Sequence, residues 1–515
     1  MTPAGYCARQ ARPGWARRRE QDDRSDGAAG MARAGRGGRV PVVAAVAVAA
    51  LAAVAVLAGC GRTIAGQARP LGAIDPGTVA GLPVTDGASG PRSGVADADL
   101  PVENADGGEM DKLAINAIAD VEEYWKQQFP SEFGKQFEPV KRYVSYDSNG
   151  RGVNICRTNT AGVVNAFYCS LEDSIAWDRG ELLPLLDDEF GPMSVVTVLA
   201  HEMGHAVQYK LGAASGVDDN TPSIVKEQQA DCYAGTFFRW VAEGKAPHFQ
   251  ISTGKGLNQV LSAMFFIRDE AGSSYTKQGA HGSAFDRVSA FQFGFSMGPK
   301  RCAKISLDEY EQRKTEVAFD ANDRNEGNLP VNAQAMTWLK VSLDEAYRDS
   351  GAAAPAISDK PSSCSDAKQT SPAAYCPATN TVTVVPQDLM AIGATPGRGS
   401  TGLGDFAAFA EVASRYTLAV QKAAGLPLDN QTTALRTACL TGAWARATVT
   451  GTDNPENKLR LSPGDLDEAV GELLREESLI AADVNGESVK AGFARVESFR
   501  VGFLDGQPAC AKQFG

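Results

Sequence analysis

Histidine is nearly absent from this sequence: there are four in 515 residues, and none beyond His281. The C-terminal part of the chain therefore has no imidazole with which to bind a metal or carry a proton near neutral pH. Positive charge is also in short supply. The formal net charge is −12, and residues 1–59 hold nine arginines against four acids, which leaves −17 on everything from residue 60 onward. That balance excludes charge-driven binding of nucleic acid or anionic lipid. No two cysteines stand as Cys-x-x-Cys, which speaks against a thiolate metal site. Apolar residues make up 43% and charged residues 22%, as in ordinary globular proteins, and the length suffices for two or three domains.

The N-terminus differs from the rest. Residues 1–30 are rich in Arg, Gly and Asp without apolar periodicity, and are expected to be disordered or untranslated. From Met31, Arg33, Arg36 and Arg39 precede an apolar run from Val40 to Gly59, the layout of a signal peptide. The run ends in Leu57-Ala58-Gly59-Cys60, which resembles the cleavage box of bacterial lipoproteins. The resemblance implies a signal peptide over 31–59, lipidation of Cys60, and a mature chain anchored on the extracytoplasmic face of the cell membrane. An uncleaved signal-anchor helix is the alternative. It too puts the rest of the chain outside the cytoplasm. Residues 60–108 lack aromatics and periodicity and read as a flexible tether.

A first folded unit is expected over 109–304. Ile115, Ile118, Val121, Tyr124 and Trp125 recur at helical spacing, so 111–128 reads as an amphipathic helix. Val140–Val144 reads as a strand, as does Ser174–Trp177. The latter is the candidate to pair with an extended peptide, with an ordinary core hairpin as the alternative. A helix follows from Pro192 to Gly212, since Pro suits a first turn and Gly a helix end. It carries His201-Glu202-Met203-Gly204-His205. At 3.6 residues per turn, His201 and His205 stand one turn apart on one face. Two such imidazoles can hold one zinc ion, with Glu202 beside it as general base.

So short a motif needs support from elsewhere in the chain. A second helix supplies Glu227 and Asp231, four apart and on one face. Glu227 can complete three protein ligands and leave a fourth position for water. Asp231, one turn on, can accept the other ring N–H of a ligand histidine. A solvated acidic face is the competing reading. Apolar Ala230, Cys232 and Phe237 around the pair weigh against it.

Together, His201-Glu202-Met203-Gly204-His205-Ala206-Val207-Gln208 and Glu227-Gln228-Gln229-Ala230-Asp231-Cys232-Tyr233-Ala234-Gly235 resemble the neutral zinc metallopeptidases of bacteria. Phe167-Tyr168-Cys169 with Asp178, and His281-Gly282-Ser283 with Arg287, carry the same resemblance, which spans about residues 111–304. It implies an α+β, zincin-like domain with zinc on His201, His205 and Glu227, and Glu202 as base. Ala206 departs from the pattern, since many relatives carry a further His there. His281, in the loop Gly279–Ser283, is a candidate donor to the oxyanion of a tetrahedral intermediate. A loop histidine satisfied by backbone is the alternative, and Tyr168, Tyr209 and Tyr233 are rival donors. His248, after Pro247, reads as a surface residue.

Residues 332–515 read as a worn copy of the first unit, joined by a linker over 305–331. Phe493–Phe503 aligns with Phe285–Phe295, and Cys439-Leu440-Thr441-Gly442 with Cys232-Tyr233-Ala234-Gly235. Tyr375-Cys376-Pro377 with Thr381–Val384 aligns with Tyr168-Cys169-Ser170 with Ser174–Trp177. Opposite His201, Glu202 and His205 stand Ser414, Arg415 and Leu418. Ala434 and Ala438 oppose Glu227 and Asp231, and Val489 opposes His281. The expected fold is therefore a metallopeptidase domain followed by a degenerate repeat without metal ligands. That repeat either recognises substrate or an envelope protein partner, or only supports the first unit.

The alignment also organises the cysteines. Without Cys7 and Cys60, eight remain, and eight allow 105 pairings. Cys156 and Cys169 are 13 apart and Cys364 and Cys376 are 12 apart; Cys232 and Cys302 are 70 apart and Cys439 and Cys510 are 71 apart. These matched spacings predict four disulfides, each within one unit. The sequence thus points to a membrane-anchored zinc peptidase acting on protein or peptide, with no nucleic-acid partner. The competing class is a non-catalytic zinc-containing envelope scaffold. Glu202 discriminates between them, because a structural metal site has no use for a carboxylate beside an open position.

Overall fold

A computed structural model describes residues 74–277, 279–313, 319, 327–396, 400–450 and 454–515. The arginine-rich start, the apolar run to Gly59 and Cys60 lie outside the described residues. Among the described residues no helix is long and apolar enough to cross a membrane.

The chain mixes small sheets with longer helices, an α+β arrangement. It opens with three two-residue strands, β1 (Thr78–Val79), β2 (Leu82–Pro83) and β3 (Gly90–Pro91). Helix α1 (Glu109–Phe133) follows, and buries Ile118, Val121, Trp125 and Phe129 along one side. Strand β4 (Arg142–Tyr146), the short hairpin β5 (Asn154–Ile155) and β6 (Thr158–Asn159), β7 (Ala166–Cys169) and β8 (Ser174–Asp178) come next. The main sheet has the order β4-β8-β7, with β8 parallel to β4 and antiparallel to β7. Strand β8 is therefore central and buried along its whole length. It has no free edge, so the expectation that it pairs with an added strand is corrected. The open edge belongs to β7, which packs on the helix bearing the histidines.

Then come α2 (Leu182–Phe190), α3 (Pro192–Leu211), α4 (Ser223–Ala242), β9 (Phe249–Gln250), α5 (Lys255–Phe266) and α6 (Ala284–Met297). Helix α7 (Leu307–Arg313) lies in the expected linker yet belongs to the first unit. Its Tyr310 is buried against Ile224 and Val225 at the start of α4.

Residues 74–108 are not a loose tether. Val79 and Leu82 are buried in the main core, and β3 pairs with β9. Thr85 and Thr253 each accept the other's backbone N–H, at 2.8 and 3.0 Å, and Arg92 Nε donates to Ala246 O and Phe249 O. The segment is held by backbone groups and short hydroxyls, which leave no apolar period for a sequence reading to find.

The second unit contains α8 (Ala333–Ala346), β10 (Ala356–Ser358), β11 (Ala373–Cys376), β12 (Thr381–Val384), α9 (Pro386–Ile392), α10 (Asp405–Ala423), α11 (Gln431–Thr450), α12 (Asp465–Leu474) and α13 (Gly492–Phe514). Its sheet has the order β10-β12-β11, with β12 parallel to β10 and antiparallel to β11, the same pattern as the first. Close helix crossings recur as well. A Cβ on Gly294 would stand 1.8 Å from Cys232 O, and one on Gly502 would stand 1.7 Å from Cys439 O. Only glycine lets α6 touch the α4 backbone, and α13 the α11 backbone. The disulfides are the four expected from the spacing, Cys156–Cys169, Cys232–Cys302, Cys364–Cys376 and Cys439–Cys510.

The two units meet through α5, α6, α12 and α13. Positions matched in the internal alignment make reciprocal contacts across the seam. The Phe285 ring packs on Phe503 and the Phe493 ring on Phe295, with centroids 5.5 and 5.1 Å apart. Gln292 meets its own counterpart, Arg500, at 3.2 Å. Reciprocal contacts of this kind characterise a two-fold interface.

Candidate metal centre

Helices α3 and α4 cross at Gly204, where a Cβ would stand 2.8 Å from Ala230 Cα. This contact brings the His201–His205 face against Glu227 and Asp231 on α4. Glu227 Oε2 lies 3.0 Å from His201 Nε2 and 3.4 Å from His205 Nε2. Among the described residues, His201, His205 and Glu227 form a group whose ligand atoms all lie within 4.8 Å of one another. Donors placed tetrahedrally about 2.0–2.1 Å from zinc would stand about 3.3 Å apart, so the spacing fits that ion.

Both rings are oriented from behind. His201 Nδ1 is 2.7 Å from Asp231 Oδ1. His205 Nδ1 is 3.0 Å from Gln208 Oε1, and Gln208 Nε2 is anchored on Lys226 O at 2.7 Å. These acceptors favour a hydrogen on each Nδ1, the arrangement in which Nε2 is the atom that can turn to a metal. The role of Gln208 was missed in the sequence, though it stands three residues after His205 on the same helix.

Charges at the site are strongly coupled. Burial alone would lower the pKa of His201, but Asp231 and Glu227 outweigh it and push it up to about 10. His205 also rises against burial, through Glu227. Burial would raise Glu227, yet the His205 and His201 rings hold it well below the usual carboxylate range. Asp231 behaves likewise, brought down against burial by Arg287 and His201. Glu202 is different: burial raises its pKa, and the Tyr168 N–H donates to its Oε2 at 2.9 Å. The β7 edge thus fixes the carboxylate next to the histidines.

A model of the putative neutral zinc metallopeptidase family matches residues 14–305. The chain belongs to that family. Over 164 residues it is 30% identical to the uncharacterized proteins Rv2575 of Mycobacterium tuberculosis and Mb2605 of Mycobacterium bovis, covering 28% of this chain and 56% of each relative. Over 215 residues it is 27% identical to uncharacterized protein YpfJ of Escherichia coli K12, covering 38% of this chain and 71% of that one. The chain thus spans little more than half the length of the mycobacterial relatives it matches. No solved structure matches it.

The remaining family motifs fall into place around this group. Arg287 binds Asp231 and also donates from Nη1 to Ile267 O at 2.8 Å. Asp178 accepts the N–H groups of Ser148, Gly180 and Leu182, and so fixes the turn into α2. His281 stands at the rim, half exposed, with Nε2 4.0 Å from Glu227 Oε2. Asp269 holds it by accepting its backbone N–H and that of Gly282, at 2.7 and 2.9 Å. Of the rival donors, one is engaged elsewhere and one is buried away from solvent. The Tyr168 hydroxyl donates to Asp173 at 3.0 Å, and Tyr233 is buried against Trp125. Tyr209 remains exposed, its ring against Tyr168. His248 is not a surface residue: its ring and backbone N–H both bind the buried Asp120, at 2.5 and 2.9 Å. The pairing of β3 with β9 carries it down onto α1.

Proposed function

We propose that this chain is a lipid-anchored, extracytoplasmic zinc peptidase whose first unit carries the whole catalytic set. What carries the reading is the meeting of two imidazole Nε2 atoms and one carboxylate oxygen beside a buried glutamate fixed by the β7 backbone. A bound zinc would lower the pKa of a water at its open position and polarise a substrate carbonyl. Glu202 would take a proton from the attacking water and pass it to the leaving amine. Burial raises its pKa, which strengthens it as the proton acceptor. Tyr168 N–H holds Oε2 and leaves Oε1 for the proton. His281 donates a hydrogen bond to the carbonyl oxygen as charge develops there. Asp231 and Arg287 keep His201 in one tautomer throughout.

The second unit, in this proposal, is a zincin-like copy that has lost its chemistry. Arg415, opposite Glu202, is fully buried and donates to the carbonyls of Leu479, Ala482 and Asp483. Burial brings its pKa down to about 10. The place of the base is filled by a group that knits a loop to the helix.

The test is cleavage of a peptide library by residues 61–515 loaded with zinc, with Glu202→Gln alongside. Cleavage by the wild type alone, with one zinc in each protein, is the expected result. Zinc in both with cleavage by neither would favour a zinc-containing binding protein, and no zinc in either would remove the central claim.

A further inference from the structure

The loop that carries His281 is held at both ends by one residue of the second unit. Asp467, in the first turn of α12, is 3% exposed. Its Oδ1 accepts the Phe285 N–H at 3.0 Å, and its Oδ2 pairs with Arg268 Nε at 3.1 Å. Phe285 lies in the first turn of α6, where a backbone N–H has no partner within the helix. Arg268 immediately precedes Asp269, the carboxylate that holds His281. Arg268 is fixed in turn by the Phe265 ring, 4.0 Å away, and by Phe265 O at 2.7 Å. One buried carboxylate thus clamps positions 268 and 285, and His281 is presented between them.

The matching contact across the seam is weaker in kind. Asn258 on α5 accepts the Gly492 N–H at 2.7 Å through its uncharged Oδ1. Each side of the seam thus has a capping hydrogen bond, and at Asp467 the ion pair with Arg268 is added. The charged version is on the side that bears His281.

We propose that Asp467 is a positioning residue for the site in the first unit. It sets His281 beside His201, His205 and Glu227, so the second unit completes a site to which it gives no ligand. The inference rests on the peptidase reading for its consequence in turnover, but the placement of the loop can be measured without turnover.

The experiment uses the zinc-loaded chain from residue 61. Asp467→Asn keeps the shape and the acceptor for Phe285 but puts an amide against Arg268. Arg268→Gln breaks the same pair from the other unit, and serves if the first variant does not fold. Amide hydrogen exchange at His281 and Gly282 is expected to quicken at least about tenfold in either variant, with zinc stoichiometry unchanged. In peptide cleavage, kcat is expected to fall about tenfold or more with KM little altered, the scale of effect that a small misplacement produces. Combining Asp467→Asn with His281→Ala should then be no slower than His281→Ala alone. Unchanged exchange in both variants, or losses that multiply in the double variant, would overturn the proposal. A wild type that cleaves no peptide would remove the peptidase reading, and the exchange comparison would still decide the positioning.

Discussion

Arg287 grips Asp231 through two hydrogen bonds of 2.9 Å, from Nε to Oδ2 and from Nη2 to Oδ1. Both side chains are almost completely buried, and Asp231 passes the constraint on to His201. An arginine suits this place because its planar fork meets both carboxylate oxygens at once.

Removing that support should be felt at the metal. Asp231→Ala is expected to weaken zinc binding about 10–100-fold, the usual effect of losing a group that orients a ligand histidine. Arg287→Lys should weaken it less, since one charge remains but the fork is lost. Chelator competition measures both. Equal affinities for Asp231→Ala and wild type would mean that His201 needs no orientation from α4.

Zinc uptake should also depend on pH. In the metal-free protein Asp231 and Glu227, working against burial, push His201 up to about 10, and Glu227 raises His205. Coordination needs both Nε2 atoms unprotonated. Apparent affinity should therefore climb about one to two logarithmic units per pH unit between pH 6 and 8. Without metal the same shift acts on stability. A folded pKa above the unfolded value of about 6.5 stabilises fully below that pH and is lost as pH rises through about 10. Proton release measured by calorimetry in buffers of different ionisation enthalpy tests the first point. Flat affinity would mean that the free imidazoles are already neutral.

The disulfides should differ in their effect on stability. Cys232–Cys302 closes a separation of 70 residues and Cys156–Cys169 one of 13. On the chain-entropy model the longer loop contributes about 1.5 kcal/mol more. Paired Cys→Ser variants compared by urea unfolding should show that order. The reverse order would point to strain or residual structure in the unfolded chain as the larger influence.

A chain that begins at Glu109 should be markedly less stable than one that begins at residue 61. It loses β3, the hydrogen bonds of Thr85 and Arg92, and the buried side chains of Val79 and Leu82. Two buried aliphatic residues alone account for about 3–6 kcal/mol. Thermal melts of the two chains decide the matter, and equal melting temperatures would restore the segment to a tether.

By itself the sequence determined which side chains could share a metal. His201 and His205 are one helical turn apart, as are Glu227 and Asp231, and a period of 3.6 is a local property that needs no knowledge of the fold. Cysteine spacing, read against an internal alignment, was enough for the four disulfides. Only the tertiary structure decided that β8 is central and β7 is the edge, since strand order depends on β4, some thirty residues earlier in the chain. The strap over 74–108 and the His248–Asp120 contact join segments more than a hundred residues apart, pairing backbone N–H groups with single side-chain oxygens that carry no periodic signal. Asp467 offers nothing in its own neighbourhood to mark it. Its partners, Phe285 and Arg268, lie in the other unit, and the seam between the units alone brings the three together.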